Sequence, residues 1–242
     1  MTPRTVTAIG AVVLALVAGG ASVDRLPGHD AGRAAAAEAT PTATSTPVPS
    51  WRPVSGAALR TVDSVELAAE SIVLRADDRM VSVVSMRDAK HTVGVLNRLL
   101  GTPARTQTAV GDAGRCVPAS TTSTWGGALR VAALREPAAA GNRVEIRVLR
   151  DHVRSRLGTS VELSGPHGVQ VGDDVRSRIE DAAADERESL GSEDAEAWQL
   201  LLAPGWPSER KGAGENGVSV LTQESTVTVI GSPMPVRATR GC

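Results

Sequence analysis

From about residue 59 to the end of the chain, short apolar runs alternate with stretches that have helical spacing of apolar positions. This mixture is typical of an α+β domain. Runs rich in Val, Ile and Leu predict strands at 72–74, 80–86, 128–134, 144–149, 169–171, 218–222 and 227–230.

Two segments have the apolar spacing of an amphipathic helix. The face of the first helix is Val93, Leu96, Leu99 and Leu100. The face of the second helix is Val175, Ile179, Ala182 and Ala183. Gly101 supplies a stop signal for the first helix, and Asp173 or Asp174 can cap the second.

The tetrapeptide Ser-Val-Glu-Leu at 64–67 recurs at 160–163, and each copy precedes an apolar run, a helix and further strands. We therefore interpret residues 59–150 and 151–242 as two related α+β modules. Each module would pack one helix on a mostly antiparallel sheet, and the two modules could share one continuous sheet. The alternative is a single irregular α+β domain with a chance similarity between its halves.

The first 58 residues lack the pattern of a packed core. Arg4 precedes an apolar run from Val6 to Ala18 and then small residues, which is the order of a secretory signal. We expect residues 1–21 to be this signal segment and to be cleaved near Ala21; the alternative is an uncleaved anchor, and only then would the membrane be a partner. Residues 22–58, rich in Pro, Thr and Ala, are predicted to be a disordered spacer.

The charge balance and the aromatic content of the chain argue against a nucleic-acid partner. The chain has 26 Lys and Arg against 27 Asp and Glu, a net charge of −1, and neither Phe nor Tyr. Nucleic-acid binding surfaces combine a basic patch with aromatic stacking residues, so we expect no nucleic-acid partner. Arg outnumbers Lys strongly, and we interpret this excess as the codon bias of a GC-rich genome.

Cys116 and Cys242 are the two cysteines of the chain. Because an exported protein meets an oxidising environment, we expect them to form a disulfide. The loop between them is long, and closing it stabilises the fold by about 4 kcal/mol in the chain-entropy model. The alternative is two free thiols.

No motif predicts a catalytic centre, a cofactor or a metal site. The histidines of the predicted folded part show no metal-ligand spacing. We expect His91 at a helix start, His152 beside Asp151 and His167 in a Gly-Pro turn, each on the surface.

Three tryptophans supply the large rings of the predicted folded part. We expect Trp125 and Trp198 to lie in the core. Trp206, between two prolines in Pro-Gly-Trp-Pro, is the candidate for an exposed interface anchor.

Three motifs carry a resemblance to known proteins: Leu-Leu-Gly-Thr-Pro at 99–103, Thr-Trp-Gly-Gly at 124–127 and Gly-Val-Gln-Val-Gly-Asp at 168–173. With them the chain resembles exported proteins of actinobacteria that have no activity to transfer. More remotely, it resembles the β-lactamase-inhibitor and outer-membrane-assembly lipoprotein type of domain, which implies a binding module and not an enzyme. The lack of Phe and Tyr and the limit of one disulfide depart from that pattern, so no functional residue is transferred.

These observations favour a non-catalytic module in the cell envelope or secreted from the cell, which binds a protein or an envelope component. The alternative is a cell-envelope hydrolase that uses His91, His152 or His167 with a carboxylate from elsewhere in the chain. A third hypothesis is a purely structural domain without a partner.

Overall fold

The computed structural model describes residues 54–112, 117–192, 196–207 and 215–237. They belong to one compact unit with an α+β fold, in which two mostly antiparallel sheets predominate and the helices are few and short. The packed region begins earlier than the composition predicts. Val54 is only 8% exposed, although residues 54–58 were assigned to the spacer.

The described residues form a five-stranded small sheet and an eight-stranded large sheet. In spatial order, the small sheet is β3 (Arg79–Ser85), β2 (Ser71–Ala76), β1 (Ser64–Leu67), β9 (Ser160–Ser164) and β8 (His152–Arg154). The large sheet is β10 (Arg187–Ser189), β11 (Trp198–Trp206), β12 (Asn216–Gln223), β13 (Thr226–Ser232), β7 (Val144–Val148), β6 (Leu129–Leu134), β5 (Ser120–Trp125) and β4 (Arg105–Ala109). The helices are α1 (Gly56–Arg60), α2 (Ala89–Leu100) and α3 (Arg176–Asp181).

One hydrophobic core lies against both sheets. In β2 every second residue is buried, because successive side chains of a strand point to opposite faces. The large sheet contributes buried residues such as Ile146 and Val220 to the same core. Helix α2 contacts β3 of the small sheet and β6 of the large sheet, so its apolar face covers the core between them.

Residues from both predicted modules take part in both sheets. In the small sheet, the two Ser-Val-Glu-Leu segments are neighbours and run parallel, with Val65 opposite Leu163. In the large sheet, β7 and β13 are antiparallel neighbours, with Val148 opposite Ile230. Each sheet is therefore completed by strands from both halves of the chain.

The prediction of the first helix is confirmed by α2. The Asp88 carboxylate accepts a hydrogen bond from the backbone N–H of His91 and caps the first turn. Gly101 ends the helix at φ 84°, a conformation that favours glycine. The indole N–H of the buried Trp125 donates to the Gly101 carbonyl at 2.8 Å, which fixes the helix end on β5.

The prediction of the second helix is wrong in length. Helix α3 ends at Asp181, and Ala182 is extended, so the predicted face at Ala182 and Ala183 does not form. The guanidinium of Arg187 donates to the carbonyl of Ile179 at the helix end, and β10 starts at this arginine and pairs with β11. Strand pairing therefore overrides local helix propensity here.

Asp174 lies just before α3 and accepts a hydrogen bond from the backbone N–H of Arg176 at 2.9 Å. This bond, and a second one with the Ser225 hydroxyl, hold the pKa of Asp174 below its usual value. A lowered carboxyl pKa contributes stability above the ordinary aspartate range, and that contribution is lost as the pH falls through the folded-state pKa. The contact therefore favours the fold at neutral pH.

The strand predictions are confirmed except at 169–171, where the chain forms no strand and instead leads from the 3₁₀ turn Pro166–Gly168 into another turn. The described residues also form seven strands that the apolar pattern did not predict: β1, β4, β5, β8, β9, β10 and β11. All five side chains of β4 are exposed, and β5 is mostly Ser and Thr, so neither strand shows a marked apolar alternation. Threonine favours strands without signalling burial, which explains why β4 and β5 were not predicted.

Replacing Gly94 with alanine should stabilise the protein. Gly94 lies inside α2, its φ is not positive, and a Cβ atom there would meet no heavy atom within 4 Å. We expect a gain of about 0.5–1 kcal/mol in the free energy of unfolding, measured by urea denaturation.

Gly217→Ala is the matched control. A Cβ at Gly217 would collide with the backbone carbonyl of Ala203 on the neighbouring strand, so this variant should lose stability. A loss of stability in Gly94→Ala would contradict the helical packing described for α2.

Candidate functional site

A cleft of about 360 Å³ lies where α1, the end of α2 and the β8–β9 hairpin meet. Three buried apolar side chains form its floor: Leu59, Val62 and Leu99. Three exposed arginines stand around it: Arg60, Arg98 and Arg156. We call this site the arginine cleft.

The arginines reach the cleft from three elements. Arg60 lies in the last turn of α1 and Arg98 in the last turn of α2. Arg156 lies in the turn between β8 and β9, and its backbone N–H donates to the Leu99 carbonyl at 2.8 Å. That bond ties the hairpin, with Arg156, to the end of α2, with Arg98, and α1, with Arg60, contacts α2 as well.

The hairpin turn has a defined conformation. The Ser155 N–H donates to the Thr159 carbonyl at 2.8 Å, and Gly158 adopts φ 86°. The Ser155 and Thr159 hydroxyl oxygens are 2.6 Å apart. Only one of the two hydroxyl hydrogens is used in this bond, so the other remains available to a ligand.

The electrostatics of the arginine cleft favour an anion. Arg98 donates one N–H to the Val54 carbonyl at 2.8 Å. Within the described residues, the guanidinium groups of Arg60 and Arg156 have no hydrogen-bond or ion-pair partner, and no described carboxylate lines the cleft. Since each guanidinium carries five N–H donors, the site presents positive charge and unused donors together.

A second cleft of about 370 Å³ on the small sheet has the opposite character. His152 and Asp151 lie in it, with His152 Nδ1 2.7 Å from an Asp151 carboxylate oxygen. Ser160 and Glu162 line the same cleft, and Glu162 accepts a hydrogen bond from Gln170 at 2.5 Å. The His152 side chain is 63% exposed, and the described contacts include no hydrogen bond between His152 and Ser160. We call this site the histidine cleft.

The other two histidines lie where the sequence predicts. His91 is in the first turn of α2, and His167 is exposed in the 3₁₀ turn. Neither lies in the histidine cleft. Over the described ranges, no group of three or more His, Cys, Asp or Glu side chains is placed to hold a metal ion.

Trp206, the predicted exposed anchor, is buried, which corrects that expectation. Its ring is 3% exposed, and its indole N–H donates to the Ser232 hydroxyl at 3.1 Å. The Ser232 hydroxyl donates to the Ala69 carbonyl in the turn between β1 and β2. The Arg87 guanidinium lies 4.8 Å from the ring centroid and pairs with Glu70. Trp206 thus joins the two sheets and offers no free face for a partner.

The remaining tryptophans differ in burial. Trp125 is fully buried, as predicted, whereas Trp198 is half-buried and packs against the core.

The predicted disulfide partners Cys116 and Cys242 both lie outside the described residues, as do the predicted signal segment and nearly all of the spacer. Among the helices that the structure describes, none is long and apolar enough to cross a membrane.

The sequence did not single out the arginine cleft. Its three arginines come from separate elements, and the arginine content of the chain suggested only codon bias. No spacing rule connects Arg60 with Arg156, so tertiary structure alone brings them together.

No family model, curated protein or solved structure matches the chain.

Trp206→Ala should cost about 3–5 kcal/mol of unfolding free energy, because it removes a buried ring together with the contact between the sheets. Urea denaturation followed by circular dichroism measures this loss. Trp198→Ala is the control and should cost less, since that ring is only half-buried. An equal cost for both variants would contradict the inter-sheet role of Trp206.

Proposed function

We propose that this protein is a non-catalytic extracytoplasmic module that binds a protein or an envelope component through the arginine cleft. One observation carries the proposal: two guanidinium groups without a described partner stand over an apolar floor, with no described carboxylate to neutralise them. Unused charged donors next to apolar surface are typical of a binding site. The Ser155 and Thr159 hydroxyls line this cleft, and no described histidine or carboxylate lines it beside them to act as a general base, which favours recognition over nucleophilic catalysis.

The extracytoplasmic location is part of this proposal and is supported by the sequence of residues 1–21. Arg4, the apolar run and the small residues after it follow the order of an export signal. A Pro- and Thr-rich spacer would then hold the folded unit away from the cell surface. In this arrangement the folded unit, with its cleft, would be exposed to material of the envelope.

The related-module interpretation belongs to the same proposal. In its favour, residues 59–150 and 151–242 each supply four successive strands to the large sheet, and the two Ser-Val-Glu-Leu segments are neighbours in the small sheet. Against it, β1 opens the first half, whereas β8 precedes the matching strand β9 in the second. A duplicated binding module is consistent with the remote resemblance to inhibitor and assembly-lipoprotein domains.

A second candidate function, a hydrolase, is favoured by the histidine cleft. Asp151 holds His152 at 2.7 Å, and Ser160 lines the same space. A catalytic triad requires the histidine to reach the serine hydroxyl as well. That second contact is not among the described hydrogen bonds, so the binding function is better supported.

The test of the proposed function is retention of envelope material by the immobilised full-length protein. A detergent extract of the native envelope is passed over the wild type, over the Arg60→Gln/Arg156→Gln variant, and over an Arg79→Gln/Arg130→Gln control. The control removes the same charge from exposed arginines outside the cleft. We expect the wild type and the control to retain the same component and the cleft variant to lose it.

Two results would overturn the proposal. One is equal retention by all three proteins, which would mean that the cleft takes no part in binding. The other is turnover of ester or peptidoglycan substrates that disappears in His152→Ala, which would assign a hydrolase activity to the histidine cleft.

A further inference from the structure

We infer, building on the binding function proposed above, that the arginine cleft takes an amphiphile with one phosphate-type head group and an apolar chain. The head group would contact Arg60 and Arg156, and the chain would lie against Leu157.

The head-group half rests on the donors of the cleft. Arg60 and Arg156 each present a planar guanidinium with no described partner, and a guanidinium matches phosphate oxygens in a bidentate geometry. The Ser155–Thr159 pair adds one hydroxyl hydrogen. Because no described carboxylate lines the cleft, its described lining presents no like charge to an anion.

The apolar half rests on Leu157, at the tip of the β8–β9 hairpin. This side chain lines the cleft and is 62% exposed, one of the few large apolar side chains exposed in the described part of the chain. It lines the same cleft as Arg156, so a chain leaving a head group bound there can contact it. Burial of each methylene contributes about 0.8 kcal/mol, so burying even a few methylenes of the ligand changes the binding free energy measurably.

Other ligand classes fit the cleft less well. A volume of about 360 Å³ lies at the small end of ligand pockets, which suits a head group with the start of a chain. No aromatic ring among the described residues lines the cleft, so its described lining offers no stacking surface for bases. A neutral ligand would leave the arginines without a counter-charge.

The same chemistry is present in a membrane lipid head group and in a soluble alkyl phosphate. The experiment therefore titrates the full-length protein with decyl phosphate below its micelle concentration, with inorganic phosphate and with the neutral decyl maltoside, using calorimetry. A parallel arm measures co-sedimentation with phosphatidylcholine vesicles that contain or lack phosphatidylglycerol.

We expect decyl phosphate to bind at least about tenfold more tightly than inorganic phosphate or decyl maltoside. Arg60→Gln/Arg156→Gln should weaken decyl phosphate binding by about tenfold or more, and Arg79→Gln/Arg130→Gln should leave it unchanged. Leu157→Ser should weaken decyl phosphate binding and leave inorganic phosphate binding unaltered.

The vesicle experiment distinguishes the two sources of the ligand. Arg-dependent sedimentation with phosphatidylglycerol vesicles would assign a membrane lipid as the source, and binding to decyl phosphate alone would assign a soluble amphiphile.

Arg60 and Arg98 lie in last turns of helices, where a positive charge also stabilises the helix. Thermal unfolding of every variant is therefore measured alongside the titrations. If the double variant unfolds, the test is repeated with the single variant Arg156→Gln, which is altered only in the hairpin turn.

Equal binding of decyl phosphate by wild type and folded cleft variants would overturn the inference, as would equal affinity for decyl phosphate and inorganic phosphate. If no amphiphile binds while retention of envelope material still depends on Arg60 and Arg156, the ligand class is wrong and the proposed function stands.

Discussion

The parallel pairing of β1 with β9 is the constraint on which the rest of the structure depends. Parallel neighbours cannot be joined by a tight turn, and here residues 68–159 lie between the paired segments. That connection contains the whole first half of the large sheet. The large sheet also depends on a pairing between the two halves of the chain, because β7 of the first half pairs with β13 of the second. Neither half of the chain therefore completes a sheet without the other.

This pairing also builds the arginine cleft. Arg60 lies shortly before β1, and Arg156 lies shortly before β9, so placing the two strands side by side brings α1 next to the β8–β9 hairpin. The bond from Arg156 N–H to the Leu99 carbonyl then adds the end of α2. The guanidinium groups remain in water, which lowers their mutual repulsion and leaves them free for a ligand.

Local pattern predicted helix α2 and the strands β2, β3, β6, β7, β12 and β13. The apolar face and the glycine stop predict helix α2, and runs of Val, Ile and Leu predict strands such as β7 and β12. Pattern missed the exposed strand β4, and it also missed β1 and β9, whose buried residues lie in short segments that contain Ser and Glu. The exposed strand β4 exists because β5 supplies its hydrogen bonds, and α3 ends early because β10 pairs with β11.

The sequence by itself determined the α+β class, the position of the main helix and the core role of Trp125, since these follow from the period and volume of apolar side chains. Tertiary structure alone decided the burial of Trp206, whose Pro-Gly-Trp-Pro context suggested an exposed turn but which packs between the two sheets. It also decided the arginine cleft, because its charges come from three elements far apart in the chain. The spacing of apolar residues along the sequence indicates which side chains are buried. Which of those side chains contact each other is decided only when the strands pair in the folded protein.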